Sequence, residues 1–315
     1  MTAALPIAVS MFREDGPAPA ATAADAPPAA ALGPAAPTLP AAPALAATDW
    51  AEAAYLDQAL NDVVRKAATL AQGNDFGLEE GEVTLLGTLL APAGTANWTR
   101  AFAANTNYAL LAGGDADVQT LEIQVRDAAG NVVARSGALG RDPVVMFTPS
   151  AAGDYEVRIV LAAAARSSFC TLAFLREGVE AVPTERIRSA SARYLGLAPL
   201  VRERFGDPHL RVVPGSWALF GAVLPPEGSV QTPPLAFGAG PHVIVAAGDD
   251  RVTDVDLFLF DAEGAELAKD EATDPTATLA HTTVTGTAYR VGVRNYASNG
   301  RGLVFATVFD LSPAE

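Results

Sequence analysis

The feature that most narrows what this chain can fold into is an internal repeat. Asp127-Ala128-Ala129-Gly130 and Asp261-Ala262-Glu263-Gly264 lie 134 positions apart (127 to 261), and the same shift lays Gly87 on Gly221, Pro92 on Pro226, Gly94 on Gly228 and Gly114-Asp115 on Gly248-Asp249 without a gap. Further along it lays Val118 on Val252, Tyr155 on Tyr289 and Val157 on Val291. A structural assignment made in one copy therefore has to hold in the other.

Within each copy the hydrophobic period is two. Leu121, Ile123 and Val125 alternate with Thr120, Glu122 and Gln124, and Val255, Leu257 and Leu259 occupy the same face of the second copy. Such alternation describes a strand with one buried face. Each strand runs into Asp-Ala-(Ala/Glu)-Gly, where glycine supplies the positive φ of a tight hairpin, and a pairing strand follows at Val132-Val133 or Leu267-Ala268. Tyr155, Val157 and Ile159, matched by Tyr289, Val291 and Val293, form a later strand whose default role is core packing.

Helical spacing occurs twice. Leu56, Leu60, Val63, Ala67 and Leu70 form an apolar stripe opened by Asp49 and Glu52 as a cap and stopped at Gly73. The repeat shift places this helix over a second, through Ile187, Ala190 and Tyr194, expected to break at Gly196 and Pro199. From Gly16 to Ala47 the chain is almost entirely Ala, Pro and Thr, which cannot bury enough apolar surface to offset ordering entropy. The expected organisation is a disordered leader or tether over 1–48, a helix plus β-sandwich over 49–182, and a second helix plus β-sandwich over 183–315. The fold class is mainly β.

Composition excludes several functions. With 36 acidic against 21 basic residues the net charge is −15, and no basic stripe interleaved with aromatics offsets it, so nucleic acid is not an expected partner. Cys170 is the only cysteine, which rules out an intrachain disulfide and a multi-cysteine zinc site. No stretch approaches the roughly 18 apolar residues of a membrane-spanning helix. The apolar run Ala3 to Val9 reads either as the tail of a signal peptide that starts upstream or as a disordered terminus.

Asp254-Val255-Asp256-Leu257-Phe258-Leu259-Phe260-Asp261-Ala262-Glu263-Gly264, followed by Gly286-Thr287-Ala288-Tyr289-Arg290-Val291-Gly292-Val293, resembles the bacterial pre-peptidase C-terminal (PPC) domain. That family's pattern is an Asp-x-Asp-Leu strand, an Asp-x-x-Gly hairpin and a Gly-x-Tyr-x-Val strand. The resemblance covers residues 217–310 and, more weakly, 83–176, where Thr120 and Glu122 replace the acidic pair. It implies a jelly-roll-like antiparallel sandwich, exported to the periplasm or secreted, attached to envelope or secreted proteins and without catalysis of its own.

Two groups of residues stand out as candidate sites. Asp249, Asp250, Asp254 and Asp256 form the densest carboxylate cluster; hard cations such as Ca²⁺ take six to eight oxygens, which a loop and strand edge can partly supply. The competing and favoured reading is a solvated acidic edge that discourages sheet aggregation, so no cofactor is expected beyond this calcium alternative. Phe258 and Phe260 continue the outward face where the first copy has Gln124 and Arg126. Two aromatics on a polar face need cover, either from a helix or the other sandwich, or from a partner.

No His-Glu-x-x-His, Gly-x-Ser-x-Gly, phosphate-binding or dinucleotide-binding glycine motif occurs. The leading function is therefore a non-catalytic, exported binding and scaffolding protein whose sandwich surfaces contact a protein or polysaccharide. A secreted hydrolase with carboxylate chemistry between the sandwiches is one alternative. A structural envelope subunit that homo-oligomerises through the Phe258 face is the other.

Overall fold

The computed structural model describes residues 51–71, 75–137, 140–206, 209–210 and 216–311, so the leader expected over 1–48 lies outside the described residues. The first repeat runs α1 (Ala51–Ala71), β1 (Phe76–Leu78), β2 (Val83–Leu90), β3 (Thr95–Phe102), β4 (Tyr108–Gly114), β5 (Val118–Arg126), β6 (Val132–Arg135), β7 (Val144–Phe147), β8 (Gly153–Ala164) and β9 (Ser168–Glu177). The second runs α2 (Thr184–Phe205), β10 (His209–Leu210), β11 (Leu219–Leu224), β12 (Ser229–Gln231), β13 (Leu235–Ala236), β14 (Gly240–Gly248), β15 (Val252–Asp261), β16 (Glu266–Asp270), β17 (Thr276–Thr283), β18 (Ala288–Ser298) and β19 (Gly302–Asp310). The protein is mainly β, with antiparallel sheets and two described helices.

Both repeats feed one large sheet. Its strand order is β17-β14-β19-β11-β2-β9-β4-β7, with β1 on β9 and β10 on β19. Two smaller sheets, β3-β8-β5-β6 from the first repeat and β12-β18-β15-β16 with β13 from the second, stack on one face of it. The period of two sorts the side chains between layers. Leu110, Ala112, Leu172, Phe174, Ile244, Ala246 and Val308 face the small sheets and meet Leu121, Ile123, Val125, Val255, Leu257 and Leu259 in one continuous core. Their neighbours Ala109, Leu111, Ala173, Leu175, Val243, Val245 and Phe309 face the other way, under α1 and α2.

The hairpins form as the sequence demands. Asp127 Oδ1 accepts from the backbone N–H of Ala129 at 3.0 Å and of Asn131 at 2.8 Å, while Asp261 Oδ1 accepts from Ala265 at 2.7 Å. Gly130 and Gly264 take φ of 83° and 94°, where a side chain would be strained. Register shifts fall at equivalent places in both copies, between Val125 and Arg126 and between Leu259 and Phe260.

The second helix departs from expectation. α2 continues unbroken through Gly196 and Pro199 to Phe205 and stops at Gly206, whose N–H bonds to the Arg202 carbonyl at 2.9 Å. Proline in a helix interior removes a hydrogen bond and costs about 3 kcal/mol. Ala190, Tyr194, Leu197 and Val201 are all buried against the large sheet, and that packing outweighs the local penalty. No described helix is long and apolar enough to cross a membrane.

Candidate functional site

The four aspartates singled out by sequence do not converge. Asp249 follows directly on β14, fully buried, and its Oδ2 accepts from Arg186 Nε at 2.6 Å and from the Leu303 N–H at 3.0 Å, while Oδ1 accepts from the Arg251 N–H at 3.1 Å. Arg186 also donates to the Arg301 carbonyl, and Arg193 donates to the carbonyls of Gly248, Asp249 and Val252. This carboxylate is thus the anchor that fastens α2 to the β14–β15 turn. Asp250, next in sequence, is exposed, and its N–H donates to Ser189 Oγ at 3.0 Å. The equivalent of Asp249 in the first repeat, Asp115, keeps the same backbone partners: Phe169 N–H at 2.8 Å and Asp117 N–H at 3.0 Å.

Asp254 and Asp256 lie on the outer face of the second small sheet, on the far side from the core residues Val255 and Leu257. They are 4% and 3% exposed, with Arg294 of β18 opposite Asp256. Burial pushes both carboxyls above the usual range; Asp274 adds to the rise at Asp254 and Asp254 adds to it at Asp256, with Arg294 opposing. Asp254 Oδ1 is buried without a hydrogen-bond partner. Asp270 and Asp274 are already committed: Asp270 accepts from the Ala272 and Thr278 N–H groups, Asp274 from the Thr276 N–H and hydroxyl. Among the described residues no group of three or more His, Cys, Asp or Glu side chains is placed to hold a metal ion.

These shifts predict a stability effect with a defined sign. A carboxyl whose folded pKa is raised contributes most below its unfolded value of about 3.9, and that contribution is lost as pH rises through the folded value. Asp254→Asn removes the buried charge, so its melting temperature at pH 7 should exceed that of the parent, with the gap closing near pH 3.5. Thermal melts at the two pH values test this; a lower melting temperature at pH 7 would show that the carboxylate is held by bonds the amide cannot replace.

Phe258 and Phe260 share that outer face. Their rings stack with centroids 6.0 Å apart and an interplanar angle of 21°, and both side chains are half-buried. The helix or second sandwich expected to cover them packs elsewhere: α1 lies on β4 and β9, and α2 on β14 and β19, across the large sheet. The rings instead lie over the sheet itself. Opposite Phe258 in β18 stands Gly292, and a Cβ there would meet Phe260 Cε2 at 2.7 Å. Glycine at this one position lets the Phe260 ring settle on the backbone beside Phe258.

Sequence reasoning missed a grouping that only strand pairing reveals. His209 of β10 stands opposite Asp310 of β19, Asp310 opposite His242 of β14, and His242 opposite His281 of β17, so every histidine of the chain lies in one cross-strand row. His242 Nε2 is 2.8 Å from Asp310 Oδ1, and its Nδ1 is 2.9 Å from the Gly240 carbonyl and 3.1 Å from Thr283 Oγ1. A hydroxyl, imidazole and carboxylate in line are the parts of a nucleophile, base and orienting group. Here, however, Thr283 is buried and donates its proton to the Gly238 carbonyl, away from the ring. Burial, and His242 beside it, push the His281 pKa down. The first repeat has Tyr108, Phe147 and Arg176 where the second has His242, His281 and Asp310, so the row belongs to the second repeat alone.

Cys170 is fully buried, and burial raises its thiol far above the range in which it ionises, so its role is packing. A small hollow between α1, β1, β9 and the start of α2 is lined by Val63, Ala67, Phe76, Leu175, Val182 and Ile187 among others, with Thr184 as the one polar side chain among the described residues. Such a lining offers no acid, base or nucleophile.

No family model and no curated protein matches the chain. Among solved structures, a conserved protein of unknown function from Pseudomonas aeruginosa PAO1 is 10% identical, covers 69% of this chain and 77% of its own, and has a TM-score of 0.18. The secreted serine protease VesC from Vibrio cholerae is 12% identical over 75% of this chain and 53% of that one, with a TM-score of 0.22. A tandem CBM22 domain of Xyn10C from Paenibacillus barcinonensis is 13% identical over 74% and 92%, with a TM-score of 0.21. At these scores the likenesses carry no argument about ligand or activity.

Proposed function

We propose that this chain is a non-catalytic, exported binding protein that holds a polysaccharide against the outer face of its second small sheet. Each repeat is read as a jelly-roll-like sandwich module of the PPC kind, in keeping with the Asp-x-Asp-Leu, Asp-x-x-Gly and Gly-x-Tyr-x-Val pattern of the second copy, and placed in the periplasm or outside the cell.

The observation that carries the reading is the stacked pair of Phe258 and Phe260. The first repeat carries Gln124 and Arg126 at the equivalent positions, and these make ordinary surface hydrogen bonds to Glu122 and the Gly130 carbonyl. Core positions are kept between copies while this outer face has changed from polar to aromatic, so the folding of the module does not require the rings. Two neighbouring, nearly parallel, half-buried rings on the outer face of a sheet offer apolar surface to the flat apolar faces of sugars in an extended chain.

Stacking on one ring is worth about 1–1.5 kcal/mol, roughly tenfold in affinity. Phe258→Ser and Phe260→Ser should each weaken retention in polysaccharide-loaded native gels by about that factor, and the double variant should migrate as in an unloaded gel. All three should melt within a few degrees of the parent. Unchanged retention across a panel of cell-wall and extracellular polysaccharides would overturn the polysaccharide reading, and capture of an envelope protein that depends on Phe258 would replace it.

A further inference from the structure

The large sheet reads the same from either end. Replacing each strand of the second repeat by its equivalent in the first turns the order β17-β14-β19-β11-β2-β9-β4-β7 into a palindrome: β14 stands for β4, β19 for β9, β11 for β2 and β17 for β7. At its centre β2 and β11 pair antiparallel, Gly87 with Leu219, Leu86 with Phe220 and Leu85 with Gly221. The repeat shift identifies Leu219 with Leu85, Phe220 with Leu86 and Gly221 with Gly87. Equivalent residues therefore face one another reciprocally about a two-fold axis through the Leu86–Phe220 pair. The helices obey the same symmetry, with α1 on β4 and β9, α2 on β14 and β19, and each touching the other.

Reciprocal contact, in which position i meets j and j meets i, is the signature of an isologous surface, the kind by which identical subunits form closed dimers. Two unlike domains joined by a linker have no reason to meet in this register. We infer that the β2/β11 seam is a self-complementary dimerisation surface and that one repeat, freed from the other, takes a second copy of itself as its partner. Every residue of β11 is buried, so a repeat without a partner strand would expose Leu219, Phe220, Val223 and Leu224 beside a row of unpaired backbone groups. The covalent link between repeats raises the local concentration of the native pairing. Trp217 adds a contact peculiar to it, its indole N–H donating to the Asn97 carbonyl of the first repeat at 2.7 Å.

The test uses the whole chain carrying a protease site between Gly178 and Pro183, the connection from β9 to α2, with Phe220→Cys at the axis. Cleaved protein should keep the size of the uncut chain. After unfolding, refolding and mild oxidation, the fragment that carries the second repeat should accumulate as a disulfide-linked pair, because residue 220 faces its own copy in that pairing. The same protocol with the new cysteine at Thr253, away from the axis, should give no such pair, and cleaved chain without either substitution should show paired second repeats by native mass spectrometry. The inference fails if the cleaved chain refolds to its original size yet neither experiment yields a pair of second repeats. It fails equally if the Thr253 cysteine cross-links as readily as that at 220.

Discussion

Arg186→Ala should lower the free energy of unfolding by about 3–5 kcal/mol, the usual cost of leaving one member of a buried ion pair without the other. The Asp249 carboxylate, fully buried, would keep its backbone donors from Leu303 and Arg251 but lose the one guanidinium that reaches it among the described residues. The Arg301 carbonyl would lose a donor in the same step. Arg186→Lys should recover little, since a single ammonium does not span the carboxylate and the carbonyl as a forked guanidinium does. Asp249→Asn in the Arg186→Ala background should restore part of the loss, because the neutral amide no longer needs a cation. Urea unfolding of the two single variants and the double variant closes the cycle. Strictly additive losses would show that the pair is not coupled, and that α2 is held to the sheet by its apolar packing and the Arg193 hydrogen bonds instead.

Trp217→Ala is the second large effect, expected at about 3–5 kcal/mol from the cavity and the lost apolar contact. Trp217 is nearly fully buried just ahead of β11, and it joins the two repeats by side-chain packing as well as by its bond to Asn97. Trp217→Phe keeps much of the volume but lacks the indole donor, so it should lose about 1–3 kcal/mol. Because the residue sits at the seam, both changes should destabilise the repeats together, giving one shifted transition by fluorescence and by circular dichroism. Two separate transitions in Trp217→Ala would mean that the repeats fold independently and that the shared sheet is only a contact between them.

Much of the architecture was legible in the residues. The alternation of Leu121, Ile123 and Val125, and of Val255, Leu257 and Leu259, placed the buried faces of β5 and β15, because a strand turns successive side chains to opposite sides. The two Asp-x-x-Gly hairpins followed from the conformations that glycine and aspartate favour locally. The end of α2 did not follow from local preference. Gly196 and Pro199 argue for a break, but the burial of Leu197 and Val201 is a property of the sheet beneath them and enters no window of neighbouring residues.

The candidate sites divide along the same line. Asp254, Asp256, Phe258 and Phe260 share a face because they are two apart in one strand, which sequence alone establishes. That Asp249 belongs to Arg186 rather than to this group could not be read from their separation of 63 positions. Nor could the alignment of His209, Asp310, His242 and His281, which depends on the register of three separate strand pairings. Sequence by itself determined the repeat, the strands and the faces they bury, since these follow from periodicities carried by neighbouring residues. Only the tertiary structure decided that the two repeats share a sheet about a two-fold axis and which distant side chains meet, because those contacts are selected by pairing and packing between segments that are remote along the chain.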